Sequence, residues 1–164
     1  MSATLPASLI DLAARVLAAN RAAGRRVALV ESCTGGLVAA ALTEIAGSSD
    51  VLECSFVTYA NAAKVAMLGV PQATLDRHGA VSSETAHAMA LGALAHSSAD
   101  VAVAITGIAG PAGGSAKKPV GTVCFARARR GQDEVHIETR QFGDLGRAAI
   151  RLQAALVALE LLLP

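Results

Sequence analysis

The chain has 164 residues, 53% of them apolar, enough for one domain with its own core and too apolar for a disordered chain. Aromatic residues make up only 2%, with no Trp and a single Tyr, so the core must be built from Ala, Val, Leu and Ile, and stacking platforms for single-stranded nucleic acid are all but missing. Lys and Arg number 14 against 13 Asp and Glu, and a net charge of +1 supplies no field to recruit DNA or an anionic membrane.

In chain order, the periodicity predicts a first helix from about Ala7 to Ala23, after Pro6, with Leu9, Leu12 and Val16 at helical spacing and Gly24 as its stop. Asp11 and Arg15 interrupt this Ala-rich start and no basic segment precedes it, so it does not read as a signal peptide. RRVALVE reads as a short buried strand. SCTGG follows, then an apolar helix from Leu37 to Ala46 closed by Gly47. A second strand runs from about Val51 to Tyr59, with Leu52, Cys54 and Phe56 alternating with Glu53, Ser55 and Val57. A short helix covers Ala62 to Leu68, Gly69 stops it, and Pro71 opens another turn. Ser82 is placed to cap the next helix, which carries Glu84 in its first turn and ends near His96.

DVAVAIT, Asp100 to Thr106, is a third buried strand leading into the Gly-rich segment GIAGPAGGSAKKP. Two strands near Val120 to Ala126 and Val135 to Phe142 form a hairpin, and Arg127, Arg129 and Arg130 read as its solvated tip. The last helix sets Leu152, Leu156, Leu159 and Leu163 on one face; packing within the chain explains this most simply, and a subunit interface is the sharper alternative. Strands alternating with helices imply parallel crossover units. The expected fold is a three-layer α/β/α domain over 1–164, its sheet mixed and mainly parallel with a C-terminal antiparallel hairpin. In such sheets ligands bind beyond the carboxyl ends of the parallel strands, which singles out the segments Ser32 to Gly36, Tyr59 to Lys64 and Thr106 to Gly114.

Cys33, Cys54 and Cys124 form an odd set without CxxC spacing, which speaks against a disulfide framework or a zinc site and fits a reducing compartment. No apolar run is long enough to span a bilayer, so a cytoplasmic protein with neither membrane nor nucleic-acid partner is expected. In ESCTGG, Ser32 lies between a strand and a helix, where free N–H groups can hold a phosphate or a developing oxyanion, and Gly35 and Gly36 permit close backbone approach. A Ser/Thr cap with a tight turn explains the segment equally well. Tyr59 and Lys64 reach the same sheet edge: a desolvated Lys can activate a Ser hydroxyl, and Tyr59 can relay its proton or orient the amine. An ordinary surface lysine is the plainer reading. Thr106 can donate a hydrogen bond to a substrate, and Lys117 and Lys118 can meet a phosphate, although solvated loop lysines account for them as well. Cys33 competes as nucleophile, but it would want a His. His87, His96 and His136 fall on regular elements and His78 in a loop. No pattern suggests a metal.

ESCTGG, TYANAAKVAMLGV, HGAVSSE and AITGIAGPAGGSAKKPVGTV, in this order, resemble the CinA C-terminal-domain family from about Val27 onward. The resemblance implies a stand-alone amidase that hydrolyses nicotinamide mononucleotide to nicotinate mononucleotide and ammonia with no cofactor or metal, and that self-associates. It maps the nucleophile onto Ser32, the general base onto Lys64 and its hydroxyl partner onto Tyr59. Substrate contacts fall on Thr34, Gly35, Gly36, Thr106, Gly107 and Gly110. The family's Phe, then Gly-Asp-Arg, is here FGDLGRAAIR, with Leu145 at the Arg position and Arg147 as its replacement. A non-catalytic nucleotide-binding or assembly module on the same fold is the alternative.

Overall fold

A computed structural model describes residues 4–164; the first three residues of the expected domain lie outside the described residues. The elements run α1 (Ala7–Ala22), β1 (Val27–Glu31), α2 (Leu37–Thr43), β2 (Leu52–Val57), α3 (Asn61–Leu68), α4 (Gln72–His78), α5 (Ser83–Ala95), β3 (Val101–Gly107), β4 (Thr122–Arg129), β5 (His136–Gln141) and α6 (Arg147–Leu162). The sheet order is β2-β1-β3-β4-β5. β1 pairs in parallel with β2 and β3, and β4 is antiparallel to both β3 and β5. The expected three layers and mixed sheet are thus found. The three parallel strands bring residues 32, 58 and 107 onward to one sheet edge.

The period-2 alternation of the central strands separates side chains by size. Val27, Leu29, Val103, Ile105, Val123 and Phe125 join α1, α2 and α6 in one buried cluster. On the other face Ala28, Ala102, Ala104, Ala126 and Ala128 meet α5 through Ala86, Met89, Ala90 and Ala93. Small residues there let the helix lie close to the sheet, and close packing supplies dispersion contacts where bulk is missing. Gly92 carries the same economy to the α3–α5 contact, where an added Cβ would stand 2.3 Å from the Leu68 carbonyl oxygen. At the start of α5, Ser82 caps the helix by accepting from the Thr85 N–H.

Several boundaries differ from expectation. α2 stops at Thr43, not Ala46, and Gly47, at φ 79°, opens a 3₁₀ turn over Ser48–Asp50 instead of closing the helix. β2 ends at Val57, two residues before Tyr59. In α6 the fully buried positions are Ile150, Ala154, Ala155, Ala158, Leu159 and Leu162, so Leu159 of the expected face is in the core, while Leu152 and Leu156 are half-buried and Leu163 lies beyond the helix. Its small Ala residues let α6 wedge against both α1 and the sheet, so packing within the chain covers it. Of the arginines near the hairpin only Arg130 is exposed, and it donates to the carbonyl oxygens of Leu94, Ser97 and Ala99, tying β4 to the end of α5; Arg127 and Arg129 are half-buried and not part of a solvated tip.

Candidate active site

Ser32 follows the last residue of β1, whose register partner on β3 is Ile105, and its N–H donates to the Ile105 carbonyl. α3 starts just past the end of β2 and sends Lys64 back beneath the sheet edge. The Lys64 Nζ lies 3.2 Å from the Ser32 Oγ, 2.7 Å from the Thr58 carbonyl oxygen and 3.4 Å from that of Tyr59. Lys64 is 1% exposed, and all three partners are neutral oxygens. Burial disfavours its charged form and lowers its pKa from the ordinary lysine range. The surface-lysine reading is therefore excluded by position.

A cavity of about 210 Å³ opens over this pair, and Ser32, Cys33, Tyr59, Lys64, Thr106 and Arg147 are among its walls. Arg147, at the start of α6, donates to the Gly110 carbonyl oxygen at 2.8 Å and to the Tyr59 Oη at 2.8 Å. Gly110 reaches this position at φ 77°, a conformation that favours glycine. A larger concavity, about 730 Å³, lies between α3, α4 and α5 and contains none of these groups.

Other expected contacts are already used by the protein itself. The Tyr59 hydroxyl faces Arg147 and not Lys64; the side chain is 58% exposed, and only its backbone carbonyl meets the amine. A direct hydroxyl relay to Lys64 is thus not what the fold builds. The Thr106 hydroxyl lines the cavity but donates to the Ala80 carbonyl oxygen at 2.8 Å, which pins the loop before α5. Thr34 is fully buried, off the cavity wall, and its Oγ1 has no hydrogen-bond partner among the described residues. The Gly35 N–H donates to the Ser32 carbonyl. His78 belongs to the last turn of α4 and not to a loop, and lies 3.6 Å from Glu84.

The largest correction concerns the N–H groups of the turn. Glu31, fully buried, folds its carboxylate over the start of α2, where Oε2 accepts from Gly36 at 3.0 Å and Val38 at 3.2 Å and Oε1 accepts from Ala39 at 2.9 Å. An internal anion therefore already fills the helix N-terminus, and a ligand does not compete for it. The N–H groups of Cys33 and Thr34 are not taken by any of these bonds. From the opposite side Arg151, one turn beyond Arg147, donates to the carbonyl oxygens of Cys33 at 3.1 Å and Thr34 at 2.9 Å. Sequence reasoning misses both Glu31 and Arg151. A carboxylate ending an otherwise apolar strand is the available sign of the first. Cys33 is 6% exposed, and burial pushes its thiol up to about 11. No histidine lines its cavity.

Among the described residues no three His, Cys, Asp or Glu side chains come together as a possible metal site, and no helix is long and apolar enough to cross a membrane.

Known proteins resemble this chain along nearly its whole length. The family described as CinA C-terminal domain matches residues 9–164. A nicotinamide-nucleotide amidohydrolase PncC of Enterobacter agglomerans is 51% identical over 152 residues, covering 93% of this chain and 92% of the relative. The protein of the same name from Escherichia coli K12 is 50% identical over 155 residues, 94% of this chain and 92% of its own length. Among solved structures, the competence/damage inducible protein CihA from Agrobacterium tumefaciens superposes with a TM-score of 0.94 at 51% identity, covering 98% of this chain and 97% of that one. The chain belongs to the CinA C-terminal domain family.

Proposed function

We propose that this member of the CinA C-terminal domain family hydrolyses the carboxamide of nicotinamide mononucleotide, releasing ammonia and nicotinate mononucleotide, with Ser32 as nucleophile and Lys64 as general base. Two relatives of about 50% identity over nearly the whole chain carry the name of that activity. The observation that carries the mechanism is the buried Lys64 Nζ at 3.2 Å from the Ser32 Oγ, on the wall of a cavity.

Lys64 is arranged to work as a neutral amine. Its two N–H bonds are matched by the two carbonyl oxygens of Thr58 and Tyr59, which leaves the nitrogen lone pair for the Ser32 hydroxyl. Desolvation favours this uncharged state. In the first step the Ser32 Oγ bonds to the carboxamide carbon as its proton passes to Lys64. The tetrahedral oxyanion meets the Cys33 N–H, whose peptide unit is held by the Gly35 N–H at the Ser32 carbonyl, a donor contributing about 3 kcal/mol. The C–N bond then breaks as the Lys64 ammonium returns its proton to the departing nitrogen, giving ammonia and an acyl-serine. Water repeats the sequence: Lys64 takes its proton, the C–O bond to Ser32 breaks, and Ser32 is regenerated. The positive charge of the pyridinium ring draws electrons from the carboxamide and eases the first attack. Arg147, braced by Tyr59 and Gly110, forms part of the wall of the same cavity.

A binding module would gain nothing from a desolvated lysine beside a serine, since burying an amine costs stability. The reading includes a self-associating cytoplasmic enzyme, and sedimentation velocity measures the first of these. The direct test incubates the purified protein with nicotinamide mononucleotide and quantifies ammonia. Wild type and Cys33→Ala release it, whereas Ser32→Ala and Lys64→Met do not. A folded wild type that releases none refutes the reading.

A further inference from the structure

Arg147 and Arg151 stand one turn apart on α6 and share a face of the helix. Arg147 is a wall of the cavity over Ser32. Arg151, half-buried, is not; it goes instead to the turn that follows the nucleophile.

What Arg151 grips there is a chain of peptide groups. Its Nη2 donates to the Thr34 carbonyl oxygen at 2.9 Å. That carbonyl shares a peptide unit with the Gly35 N–H, which donates to the Ser32 carbonyl oxygen at 3.0 Å. The Ser32 carbonyl in turn shares its peptide unit with the Cys33 N–H, which these bonds leave free at a residue lining the cavity. Donors and acceptors therefore run in one direction, from the guanidinium to the N–H that receives the oxyanion. In such a chain each hydrogen bond polarises the next, by roughly 10–30% per bond. A positive charge at the far end makes the Cys33 N–H a stronger donor as negative charge develops on the substrate. The second bond, from Nε to the Cys33 carbonyl oxygen at 3.1 Å, fixes the guanidinium plane against the turn, which a lysine cannot do. Arg151 has no carboxylate in ion-pair range among the described residues, so no acid neutralises its charge at this point. Glu31 is its counterpart on the N–H side of the same turn, holding Gly36, Val38 and Ala39.

We propose that Arg151 is a positioning residue for the reaction: through the Thr34–Gly35 peptide and the Gly35-to-Ser32 hydrogen bond it aligns and polarises the Cys33 N–H. The proposal rests on the amidase reading and adds to it a cation that never touches the substrate.

The experiment measures ammonia release from nicotinamide mononucleotide for wild type, Arg151→Gln and Arg151→Lys, each below its own Tm. Arg151→Gln keeps an N–H donor and loses the charge. Its kcat falls at least about tenfold, short of the roughly 10²–10³ lost when an oxyanion donor is deleted outright, and KM stays within about twofold. Arg151→Lys keeps the charge without the planar pair of donors and retains at least about threefold more kcat than Arg151→Gln. A purely structural role would lower Tm and leave kcat of the folded protein unmoved. An Arg151→Gln kcat within about twofold of wild type, a loss confined to KM, or a lysine variant no better than the glutamine one overturns the proposal.

A second measurement needs neither a folded Arg151 variant nor turnover. Pyridine-3-boronic acid bears a boronic acid where the substrate ring bears its carboxamide. A B–O bond forms to the Ser32 Oγ as the hydroxyl proton passes to Lys64, and the boron becomes a tetrahedral anion that mimics the transition state. In wild type the amide proton resonances of Cys33 and Gly35 both move downfield on adduct formation, the Gly35 shift being the relayed one. In Ser32→Ala neither moves. An adduct that leaves the Gly35 resonance in place overturns the relay and keeps Ser32 as nucleophile. Boron that stays trigonal in wild type removes Ser32 from the chemistry, and the amidase reading falls together with the relay.

Discussion

Replacing Glu31 by Gln removes one acceptor from the turn that carries Ser32 while preserving side-chain shape. In the wild type both carboxylate oxygens are occupied, one by the Gly36 and Val38 N–H groups and the other by that of Ala39. A glutamine can keep its carbonyl toward Gly36 and Val38, but its NH₂ then faces the Ala39 N–H, donor against donor, in a fully buried site. One charge-assisted bond is lost and one buried donor is left unpaired, a combined cost of about 3 kcal/mol. For a chain of this size that lowers Tm by roughly 6–12 °C. Because Ser32 is the next residue, the loss reaches the chemistry: kcat falls at least about tenfold while the fold survives below its new Tm. Differential scanning calorimetry gives the first quantity, and ammonia release well below that Tm gives the second. A Tm within about 2 °C of wild type together with kcat within about twofold would refute the idea that this carboxylate clamps the nucleophile's turn.

The remaining expectations concern the base, the rival nucleophile and the packing. Lys64→Arg keeps a charge but cannot deprotonate, so kcat drops at least about 100-fold. In wild type the amine must be neutral to accept the Ser32 proton, so kcat rises with pH as Lys64 deprotonates, along a limb displaced below the ordinary lysine range by burial; a flat profile in stopped ammonia assays contradicts this role. With its thiol at about 11, Cys33 reacts slowly with iodoacetamide near neutrality and faster as pH rises, and Cys33→Ala keeps activity within about threefold; inactivation of the alanine variant would return Cys33 to the chemistry. Gly92→Ala sets propensity against packing: alanine gains up to about 1 kcal/mol in a helix, but its Cβ would stand 2.3 Å from the Leu68 carbonyl oxygen. The clash wins by about 2 kcal/mol, read as a Tm drop of roughly 4–8 °C in thermal denaturation, and a Tm at or above wild type refutes it.

Element type and order were legible because they depend on local pattern. Short continuous apolar runs made β1 and β3 strands, Ser82 and Gly69 punctuated helices, and the strand–helix alternation required parallel crossovers that gather Ser32, Lys64 and Thr106 at one edge. Helix ends such as Thr43 were less legible, since propensity alone lets the helix run on to Ala46, and Gly47 can serve either as a helix stop or as the start of a new turn. What only the tertiary structure decided is which polar groups face each other. Tyr59 and Lys64 are five residues apart, yet the hydroxyl turns to Arg147 and the carbonyl to the amine. Arg151 reaches Cys33 and Thr34 across more than a hundred residues, and Glu31 closes the helix start that the motif by itself leaves open for a ligand. The physical reason is that periodicity specifies which side of an element is buried, whereas a hydrogen bond requires two atoms to come within about 3 Å, and that is set by the register and crossing of elements far apart in the chain.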